Sequence, residues 1–375
     1  MKVLEFALHT IALPLVTPFT TSFSRQTERR VLIIELTAEV GGALVVGWGE
    51  CGALTEPVYS SEYLDGVLDV TVEHLLPRLA AASAADDLTA ESVAGLLSKV
   101  VGHRMAKAAI EMAVLDAQLR AAGVSFKNYL GVTRDRVPSG VSVGIQDSIP
   151  ELLDAVAGYL DEGYQRIKLK IRPGWDIEPV RAVREAHPAV PLQVDANTAY
   201  TLADAEHLAR LDAFDLLLIE QPLGEEDMRH HALLAQRMTT PMCLDESVVS
   251  AASAEDAIEW GAAAIINIKP SRVGGYLEAR RIHDVALAHG TPVWCGGMLE
   301  TGIGRGANAA LAGMPGFTIT GDISASGRFY KQDITEPFEL VDGHILIPDV
   351  PGLAAVPSRQ RLAEATVETV RIGFP

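Results

Sequence analysis

Residues 166–171 read RIKLKI, a short apolar run that carries two lysines, and similar runs recur along the chain at a fixed interval. Five such runs each bring a charged residue to their end: RIKLKI (166–171), PLQVDAN (191–197), LLLIEQP (216–222), MCLDES (242–247) and AIINIKP (264–270). An interval of about 25 residues holds one buried strand, one helix and two loops, so the repeat predicts consecutive βα units. The charged residues are Lys170, Asp195, Glu220, Asp245 and Lys269.

Several βα units in series predict an α/β fold, a modified (β/α)8 barrel of the TIM type. In such a barrel the carboxyl ends of all strands meet at one mouth, so the five charged residues are expected around a single pocket. The predicted barrel strands are 137–145, 166–171, 191–196, 216–221, 241–246, 264–269, 292–297 and 317–322.

The chain has 375 residues, more than the ~250 that a barrel needs. We therefore predict an α+β capping domain at 1–130, the barrel at 131–328, and a C-terminal segment at 329–375 that returns to the capping domain. In the first region the pattern predicts strands at 2–15, 31–40 and 43–49, a loop at 17–29, and helices at 61–82, 89–100 and 103–122. Residues 336–349 predict a hairpin with its turn at Asp342-Gly343.

The composition argues against a nucleic-acid-binding protein and against a membrane protein. The net charge of −18 argues against a nucleic-acid partner, which needs a basic surface. No run of 18 apolar residues exists, so no membrane span is expected. Three cysteines without metal-ligand spacing are typical of reduced thiols, and we expect a cytoplasmic enzyme.

Three acidic residues end three successive predicted strands. Strands in a sheet lie ~4.8 Å apart, so Asp195, Glu220 and Asp245 would repel one another unless a cation lay between them. Oxygen ligands favour Mg²⁺, with Mn²⁺ as a possible substitute. The alternative is that each acid caps a loop or pairs with a lysine on the surface. Asn197 and Glu246 adjoin the trio as supporting residues, unless Asn197 only caps the next turn.

The lysines predict acid–base chemistry. Lys168 and Lys170 are two positions apart in a strand and therefore face the same side, and mutual repulsion is expected to lower the pKa of one or both. Lys269 ends the sixth strand, four positions from the second, and so faces Lys170 across the mouth. Arg272 follows nearby, either to lower the pKa of Lys269 or as a solvated surface residue. The alternative for Lys269 is a salt bridge to a neighbouring acid.

A divalent metal beside two opposed bases suits removal of a proton next to a carboxylate, because the metal stabilises the resulting negative charge. Competing chemistries lack their motifs: no HxH pair begins the barrel, and neither GxGxxG nor a P-loop is present. The sequence therefore predicts an enzyme that acts on a small carboxylate substrate.

These motifs resemble the enolase superfamily, muconate-lactonizing subgroup, over essentially the whole chain. The resemblance rests on KLK (168–170), VDAN (194–197), IEQP (219–222), LDES (244–247) and INIKPSRVGG (266–275). Three longer segments are similar to the o-succinylbenzoate synthases that also act as N-acylamino acid racemases: GHRMAKAAIEMAVLDAQLRA (102–121), YQRIKLKIRPGWD (164–176) and PVWCGGMLETGIGR (292–305).

The resemblance implies roles for particular residues. The acidic trio would bind Mg²⁺, Lys170 and Lys269 would exchange the proton, and Lys168 would assist Lys170. Glu246 and Arg272 would contact the catalytic residues without touching the substrate. Relatives of this kind are often homo-octamers, so a homo-oligomer is expected. The implied substrate-binding residues are Phe19, Ser22, Phe23 and Tyr59 on capping loops, with Ser142, Asn197, Gly297, Met298 and Phe329 in the pocket.

The motifs leave several reactions open. Mandelate racemase-like members use a histidine at the seventh strand, where this chain has Gly296-Gly297, and dipeptide epimerases carry DxD at the eighth, where Asp322 is followed by Ile323 and Ser324. We predict o-succinylbenzoate synthase as the main role, serving menaquinone biosynthesis, with N-succinylamino acid racemase activity. The alternatives are a dedicated N-acylamino acid racemase, a cycloisomerase, or a barrel that binds without catalysis.

Overall fold

The structure is a computed structural model that describes residues 1–353 and 355–374. The strands are β1 (Lys2–Thr20), β2 (Arg25–Val40), β3 (Ala43–Cys51), β4 (Arg136–Pro138), β5 (Gly140–Val143), β6 (Arg166–Lys170), β7 (Leu192–Asp195), β8 (Ile219–Glu220), β9 (Met242–Leu244), β10 (Ile265–Ile268), β11 (Val293–Cys295), β12 (His344–Leu346) and β13 (Thr366–Gly373).

The helices alternate with the central strands, as the 25-residue repeat predicts. A π-helical turn at Thr71–Leu75 joins the first two helices, and 3₁₀ turns lie at Leu202–Asp204, Ala209–Phe214 and Ser326–Arg328. The α-helices are α1 (Leu64–Val70), α2 (Leu76–Ala84), α3 (Ala90–Leu96), α4 (Arg104–Ala122), α5 (Phe126–Tyr129), α6 (Ile149–Glu162), α7 (Ile177–Ala186), α8 (Ala205–Leu208), α9 (Met228–Ala235), α10 (Ala251–Glu259), α11 (Pro270–Val273), α12 (Tyr276–Ala288), α13 (Gly302–Ala312) and α14 (Arg359–Ala365).

Seven parallel strands form the central sheet in the order β11-β10-β9-β8-β7-β6-β5. The predicted TIM-like barrel is confirmed in its chain order, but the eighth predicted strand, 317–322, is not a strand. It makes only isolated bridges, from Phe317 to Val293 on one side and from Gly321 to Ser139 on the other. Hydrogen bonds from Gly140 N to Gly321 O and from Asp322 N to Cys295 O, both 2.9 Å, nevertheless join it to both edges of the sheet.

The first predicted barrel strand, 137–145, is divided in two. Its first part, β4, pairs antiparallel with β12 and not with the barrel, and only β5 joins the parallel sheet. The predicted turn at Asp342-Gly343 is present, with positive φ at both residues, but the hairpin around it is reduced to one bridge between Val341 and His344. The strand after the turn pairs with β4 instead.

The capping sheet has the order β13-β1-β2-β3. The predicted loop at 17–29 is wrong, because β1 and β2 continue to Thr20 and from Arg25 and leave only four residues between them. Beyond the reach of β3 and β13 these two strands pair only with each other. The pairing of β1 with β2 shifts register between Pro14 and Phe19, which interrupts the regular apolar alternation of a half-buried strand.

The predicted helices of the capping region are confirmed to within a few residues. The longest, α4, ends at Gly123 with φ of +67°, as the sequence predicts, and packs directly on β3. Gly47 and Gly49 allow this close approach, because a Cβ on either would lie 2.2 Å or less from a backbone oxygen of α4.

The C-terminal segment returns to the capping sheet, where β13 pairs antiparallel with β1 from Glu5 to Ile11. The boundaries at 130 and 328 remain a prediction. Within residues 1–353 and 355–374, no helix has the length and apolar character needed to span a membrane.

Candidate active site

The five charged residues of the repeat meet at the carboxyl end of the parallel sheet, as predicted. Lys170 lies opposite Asp195, and Asp195 opposite Glu220, in the strand register. Asp245 and Lys269 directly follow β9 and β10. All five side chains are buried. The even spacing therefore reflects strands of similar length that present one residue each to a common mouth.

Each outer lysine forms an ion pair with the acid of the adjacent strand. The Lys170 ammonium lies 2.6 Å from Asp195 Oδ2 and 2.7 Å from Asn197 Oδ1. The Lys269 ammonium lies 2.6 Å from Asp245 Oδ2. Burial alone would raise the pKa of both aspartates, but the lysines hold the pKa of each below its ordinary value.

Lys168 lies one layer deeper in the barrel and contacts three carboxylates. Its ammonium is 2.5 Å from Asp322, 3.0 Å from Glu220 and 3.4 Å from Asp195, and it stacks 4.7 Å above the ring of Trp294. Burial lowers the pKa of Lys168, but the three acids more than offset it, so the pKa lies above its ordinary value. The prediction that repulsion between lysines lowers this pKa is therefore wrong for Lys168 in this arrangement.

Two glutamates of the site carry strongly perturbed pKa values. Burial raises the pKa of Glu220 to about 8, and the charge of Asp195 adds to the shift. Burial and the adjacent Asp245 likewise raise the pKa of Glu246 to about 8. Asn197 Nδ2 donates to one oxygen of Glu246 at 3.1 Å, and the other oxygen is buried without a partner in the described structure. Both glutamates therefore bind a proton more tightly than an exposed glutamate does.

A divalent cation fits this donor set. Among residues 1–353 and 355–374, no three acidic, histidine or cysteine side chains are arranged ready to hold a metal, because lysine ammoniums lie between the carboxylates. Three carboxylates on adjacent strands, together with the unpaired oxygen of Glu246, nevertheless supply the hard oxygen ligands that Mg²⁺ prefers. Asn267 Nδ2 already orients Glu220 by donating to Oε1 at 2.6 Å.

Arg272 and Tyr59 surround Lys269. Arg272 Nε donates to Asp245 Oδ1 at 3.0 Å, and the Tyr59 hydroxyl lies 3.1 Å from the Lys269 ammonium. Burial lowers the pKa of Lys269, but Asp245 and its other acidic neighbours raise it well above the ordinary value. The predicted lowering of this pKa by Arg272 is therefore wrong here. Arg272 is buried, so the reading as a solvated surface residue is wrong as well.

A cavity of about 410 Å³, including its opening, is lined by all three lysines. Since β6 and β10 are four places apart in the sheet, Lys170 and Lys269 approach it from different sides. Gly296 permits this, because a Cβ there would lie 2.8 Å from Lys269 Cε. Two larger grooves lie along 325–340 and 12–16, but neither contains a strand-end charge. The predicted pocket residues Phe19, Ser142, Gly297 and Phe329 line the cavity.

The other predicted pocket residues lie around the cavity and are not part of its lining. Ser22 Oγ donates to Asn197 O at 3.2 Å, which fastens the tip of the β1–β2 arm to the barrel. Phe23 packs on Tyr59, with ring centroids 6.0 Å apart. Met298 is buried against Gly52 of the capping region. The arm and the loop around Tyr59 together cover the carboxyl ends of the strands.

The cavity also contains residues that the sequence did not single out for a role. They lie at or just after the ends of the seventh and eighth predicted barrel strands, 292–297 and 317–322. Because residues at the carboxyl ends of barrel strands meet at one mouth, these positions could have been predicted from the same spacing. Asp322 is the most connected of them, since it pairs with both Lys168 at 2.5 Å and Arg166 at 2.8 Å. The missed lining residues are Leu299, Glu300, Asp322 and Ser324.

Comparison with known proteins gives consistent matches over the whole chain. A family model described as enolase C-terminal domain-like matches residues 151–361, and one for the N-terminal domain of mandelate racemase / muconate lactonizing enzyme matches residues 6–131. An N-succinylamino acid racemase from Amycolatopsis sp. is 60% identical over 374 residues, covering 100% of both chains. An o-succinylbenzoate synthase from Bacillus subtilis is 43% identical, covering 94% of both.

A solved structure supports the same relationship. An enolase superfamily member from Listeria innocua superposes with a TM-score of 0.94 at 38% identity, covering 100% of both chains. Two family models that together span most of the sequence, and relatives well above 30% identity over nearly full length, agree with the strand-end lysines and acids described above. The chain therefore belongs to the enolase superfamily, with the N- and C-terminal domains of its mandelate racemase / muconate lactonizing group.

Proposed function

We propose that this enzyme removes the proton α to a carboxylate, and that it uses this step both to form o-succinylbenzoate and to racemise N-succinylamino acids. The observation that carries the proposal is the presence of Lys170 and Lys269, four strands apart, on different sides of one cavity. The relatives at 60% and 43% identity, whose names are the racemase and the synthase, support both reactions.

The acid–base work falls to the two outer lysines. In racemisation, one lysine takes the α-proton from one face of the substrate and the other returns a proton to the opposite face. Because Lys170 and Lys269 already hold their ammoniums beside Asp195 and Asp245, their side chains are fixed in direction before substrate binds. Lys168 stays charged between its carboxylates and contributes positive potential next to Lys170.

The dehydration uses the same first step. Lys170 takes the proton α to the carboxylate of the cyclohexadiene substrate. The C–O bond to the ring hydroxyl then breaks, and that hydroxyl leaves with the proton as water, which yields the aromatic product. Lys269 remains a cation on the other side and stabilises negative charge on the substrate. Its raised pKa, caused mainly by Asp245 acting against burial, suits this role.

We propose Mg²⁺ as the cofactor, with Mn²⁺ as a substitute, held by Asp195, Glu220 and Asp245. When bound, such an ion stabilises the charge that develops on the substrate carboxylate as the α-proton leaves. Asn197 N donates to Asp195 Oδ1 at 3.0 Å, and Asn267 and Arg272 orient Glu220 and Asp245 through the hydrogen bonds described above.

A cytoplasmic location and a homo-oligomer are also part of the proposal. All three cysteines, Cys51, Cys243 and Cys295, are buried and unpaired, which supports a reducing compartment.

The deciding experiment measures turnover of the cyclohexadiene carboxylate and of N-succinylamino acids side by side, with Mg²⁺ and the purified protein. We expect measurable kcat/KM for both substrate classes. Turnover of only N-succinylamino acids would leave a dedicated racemase, and turnover of muconate alone would leave a cycloisomerase. Tight binding of these carboxylates without exchange of the α-proton in deuterated water would reduce the protein to a binding barrel.

A further inference from the structure

Gln221 directly follows Glu220, the middle residue of the acidic trio, at the end of β8. Its side chain is completely buried. Its backbone has a φ of +38°, in the left-handed region that residues other than glycine seldom adopt. A conformation of this kind persists only where the surrounding structure fixes it, and it occurs most often at functional sites. The contacts of Gln221 show what fixes it here.

The backbone of Gln221 links β8 to the strands on both sides. Its N–H donates to Cys243 O of β9 at 2.9 Å, and its carbonyl oxygen accepts from Thr198 N, in the turn after β7, at 2.8 Å. Thr198 also has a positive φ, of +64°, so left-handed residues of two turns meet at this hydrogen bond. The strands β7, β8 and β9 are those that present the acidic trio, and Gln221 therefore connects all three.

The side chain of Gln221 reaches the turn that follows β9. Its Oε1 accepts from Asp245 N at 3.0 Å and from Ser247 N at 3.3 Å. Its Nε2 donates to Ser247 Oγ at 2.7 Å and to Leu223 O at 3.2 Å. The amide therefore uses both of its donors and both acceptor positions. Through these bonds it fixes the backbone of Asp245 relative to β8.

Other charges pull Asp245 away from Glu220. Lys269 Nζ lies 2.6 Å from Asp245 Oδ2, and Arg272 Nε donates to Oδ1 at 3.0 Å. Both cations follow β10, which pairs with β9 on the side opposite β8. As metal ligands, Glu220 and Asp245 are both ionised and repel each other. The neutral amide of Gln221 opposes this separation without adding a charge to the site.

A second buried glutamine shows that these contacts are specific to Gln221. Gln193 lies in β7, two residues before Asp195, and is equally buried. Neither atom of its amide has a hydrogen-bond partner in the part of the chain that the structure describes. Burial of a glutamine in this barrel therefore does not by itself produce contacts with the backbone of a strand end.

We propose that Gln221 is a positioning residue for the metal site, which sets the separation of Glu220 and Asp245 so that both carboxylates reach one cation. It acts through the backbone of Asp245 and is not itself a ligand. This inference rests on the proposed function, because it takes these two carboxylates as ligands of Mg²⁺. Since Mg²⁺ requires its oxygen ligands at about 2.0–2.1 Å, a small displacement of Asp245 weakens binding.

The test measures the Kd for Mg²⁺ by isothermal titration calorimetry, on purified protein freed of metal and without substrate. Gln221→Met keeps the volume of the side chain but removes its four hydrogen bonds. We expect its Kd to rise at least about tenfold, as for other residues that orient a metal ligand. Gln221→Glu keeps an oxygen toward Asp245 N and Ser247 N and should bind Mg²⁺ more tightly than Gln221→Met. Ser247→Ala removes one partner and should raise the Kd by less.

Gln193→Met is the matched control, since it makes the same exchange at an equally buried position of the adjacent strand and should leave the Kd unchanged. A general loss of stability does not alter the Kd of the folded protein. An unchanged Kd in Gln221→Met, or an equal rise in Gln193→Met, would overturn the assignment. If Gln221→Met does not fold, an unchanged Kd in Ser247→Ala would do so. If the wild type binds neither Mg²⁺ nor Mn²⁺, the proposed cofactor itself is wrong, and the role of Gln221 with it.

Discussion

Glu50, in the capping sheet, accepts two hydrogen bonds from Thr301 at the start of α13, from its backbone N–H and its hydroxyl, both at 2.8 Å. A third comes from Gly304 N at 2.9 Å. The cap therefore holds the helix that directly follows the cavity-lining loop 297–300. Burial raises the pKa of Glu50 to about 7, and the neighbouring charge of Glu300 adds to this effect.

Replacing Glu50 should loosen this loop. We expect Glu50→Ala to destabilise the protein by about 2–3 kcal/mol, since three buried donors lose their acceptor, and to raise KM more than it lowers kcat. Glu50→Gln keeps one acceptor oxygen and should recover part of both losses. Urea unfolding and steady-state kinetics on the two variants measure this, and an unchanged KM in Glu50→Ala would show that the contact does not position the loop.

The two outer lysines should be indispensable. We expect Lys170→Ala and Lys269→Ala each to lower turnover at least about 10³-fold. In the proposed mechanism each lysine either transfers the α-proton or stabilises negative charge on the substrate. Lys2→Ala, at an exposed position of the capping sheet, is the control. Exchange of the α-proton in deuterated water shows which face of the substrate each lysine serves. Each variant should lose exchange with the enantiomer whose proton the missing lysine removes. Near-normal turnover in either variant would exclude a two-lysine mechanism.

Metal removal should abolish activity reversibly. Chelation should stop turnover, and Mg²⁺ or Mn²⁺ should restore it, because the proposed mechanism needs a cation to stabilise the charge that develops on the substrate carboxylate. Mg²⁺ should also raise the melting temperature of the wild type, and Asp245→Asn should reduce that rise. Full activity after exhaustive chelation, or an equal rise in the variant, would argue against this metal site.

Asp322 should be needed for stability. Its carboxylate neutralises Lys168 and Arg166, and both cations are buried. Removing one partner of a buried ion pair costs about 3–5 kcal/mol, so Asp322→Asn should destabilise the protein on that scale. Asp256→Asn, at an exposed site, is the matched control. Equal unfolding midpoints in the two variants would show that Asp322 adds nothing to stability.

The pH dependence of stability should depend in part on Glu111. Burial raises the pKa of Glu111 to about 8, although Leu277 N donates to it at 3.2 Å. Its folded pKa lies above the unfolded value of about 4.5, so the folded state binds the proton more tightly. This contribution is complete below pH about 4.5 and is lost as the pH rises toward 8. Stability should therefore fall over this window.

Glu111→Gln should flatten that decline, because its amide does not titrate. Melting temperatures at pH 5, 6.5 and 8 measure the effect, with Glu225→Gln as the exposed control. Parallel curves for the wild type and Glu111→Gln would show that Glu111 is not the titrating group.

The strand-end residues were predictable from sequence because parallel strands of similar length place their last residues at one mouth, whatever the side chains contact. The direction of the lysine pKa shifts was not. That direction depends on which carboxylates lie within 3.4 Å of Lys168. One of them, Asp322, belongs to the eighth barrel segment, about 150 residues further along the chain. Spacing reports the backbone position of such a residue but not its ion pairs.

The arm formed by β1 and β2 shows a second limit. The apolar alternation by which a strand is predicted from sequence is interrupted here, because the pairing of β1 with β2 shifts register between Pro14 and Phe19. The eighth barrel segment was misassigned for a related reason: its spacing is correct, but few of its backbone groups pair in register. Whether such a segment forms a strand depends on the backbone hydrogen bonds to adjacent strands, which the sequence pattern does not reveal.

The pairing of β13 with β1 has a consequence for biosynthesis. One edge of β1 is completed only by β13, more than 340 residues later, so the capping sheet cannot close before residues 366–373 have been synthesised. Until then the nascent chain exposes a long unpaired edge, which invites association between growing chains. A chain truncated before residue 366 should leave that edge permanently open, and a segment fused behind β13 would begin beside it. Fusions at the carboxyl terminus should therefore carry a flexible spacer.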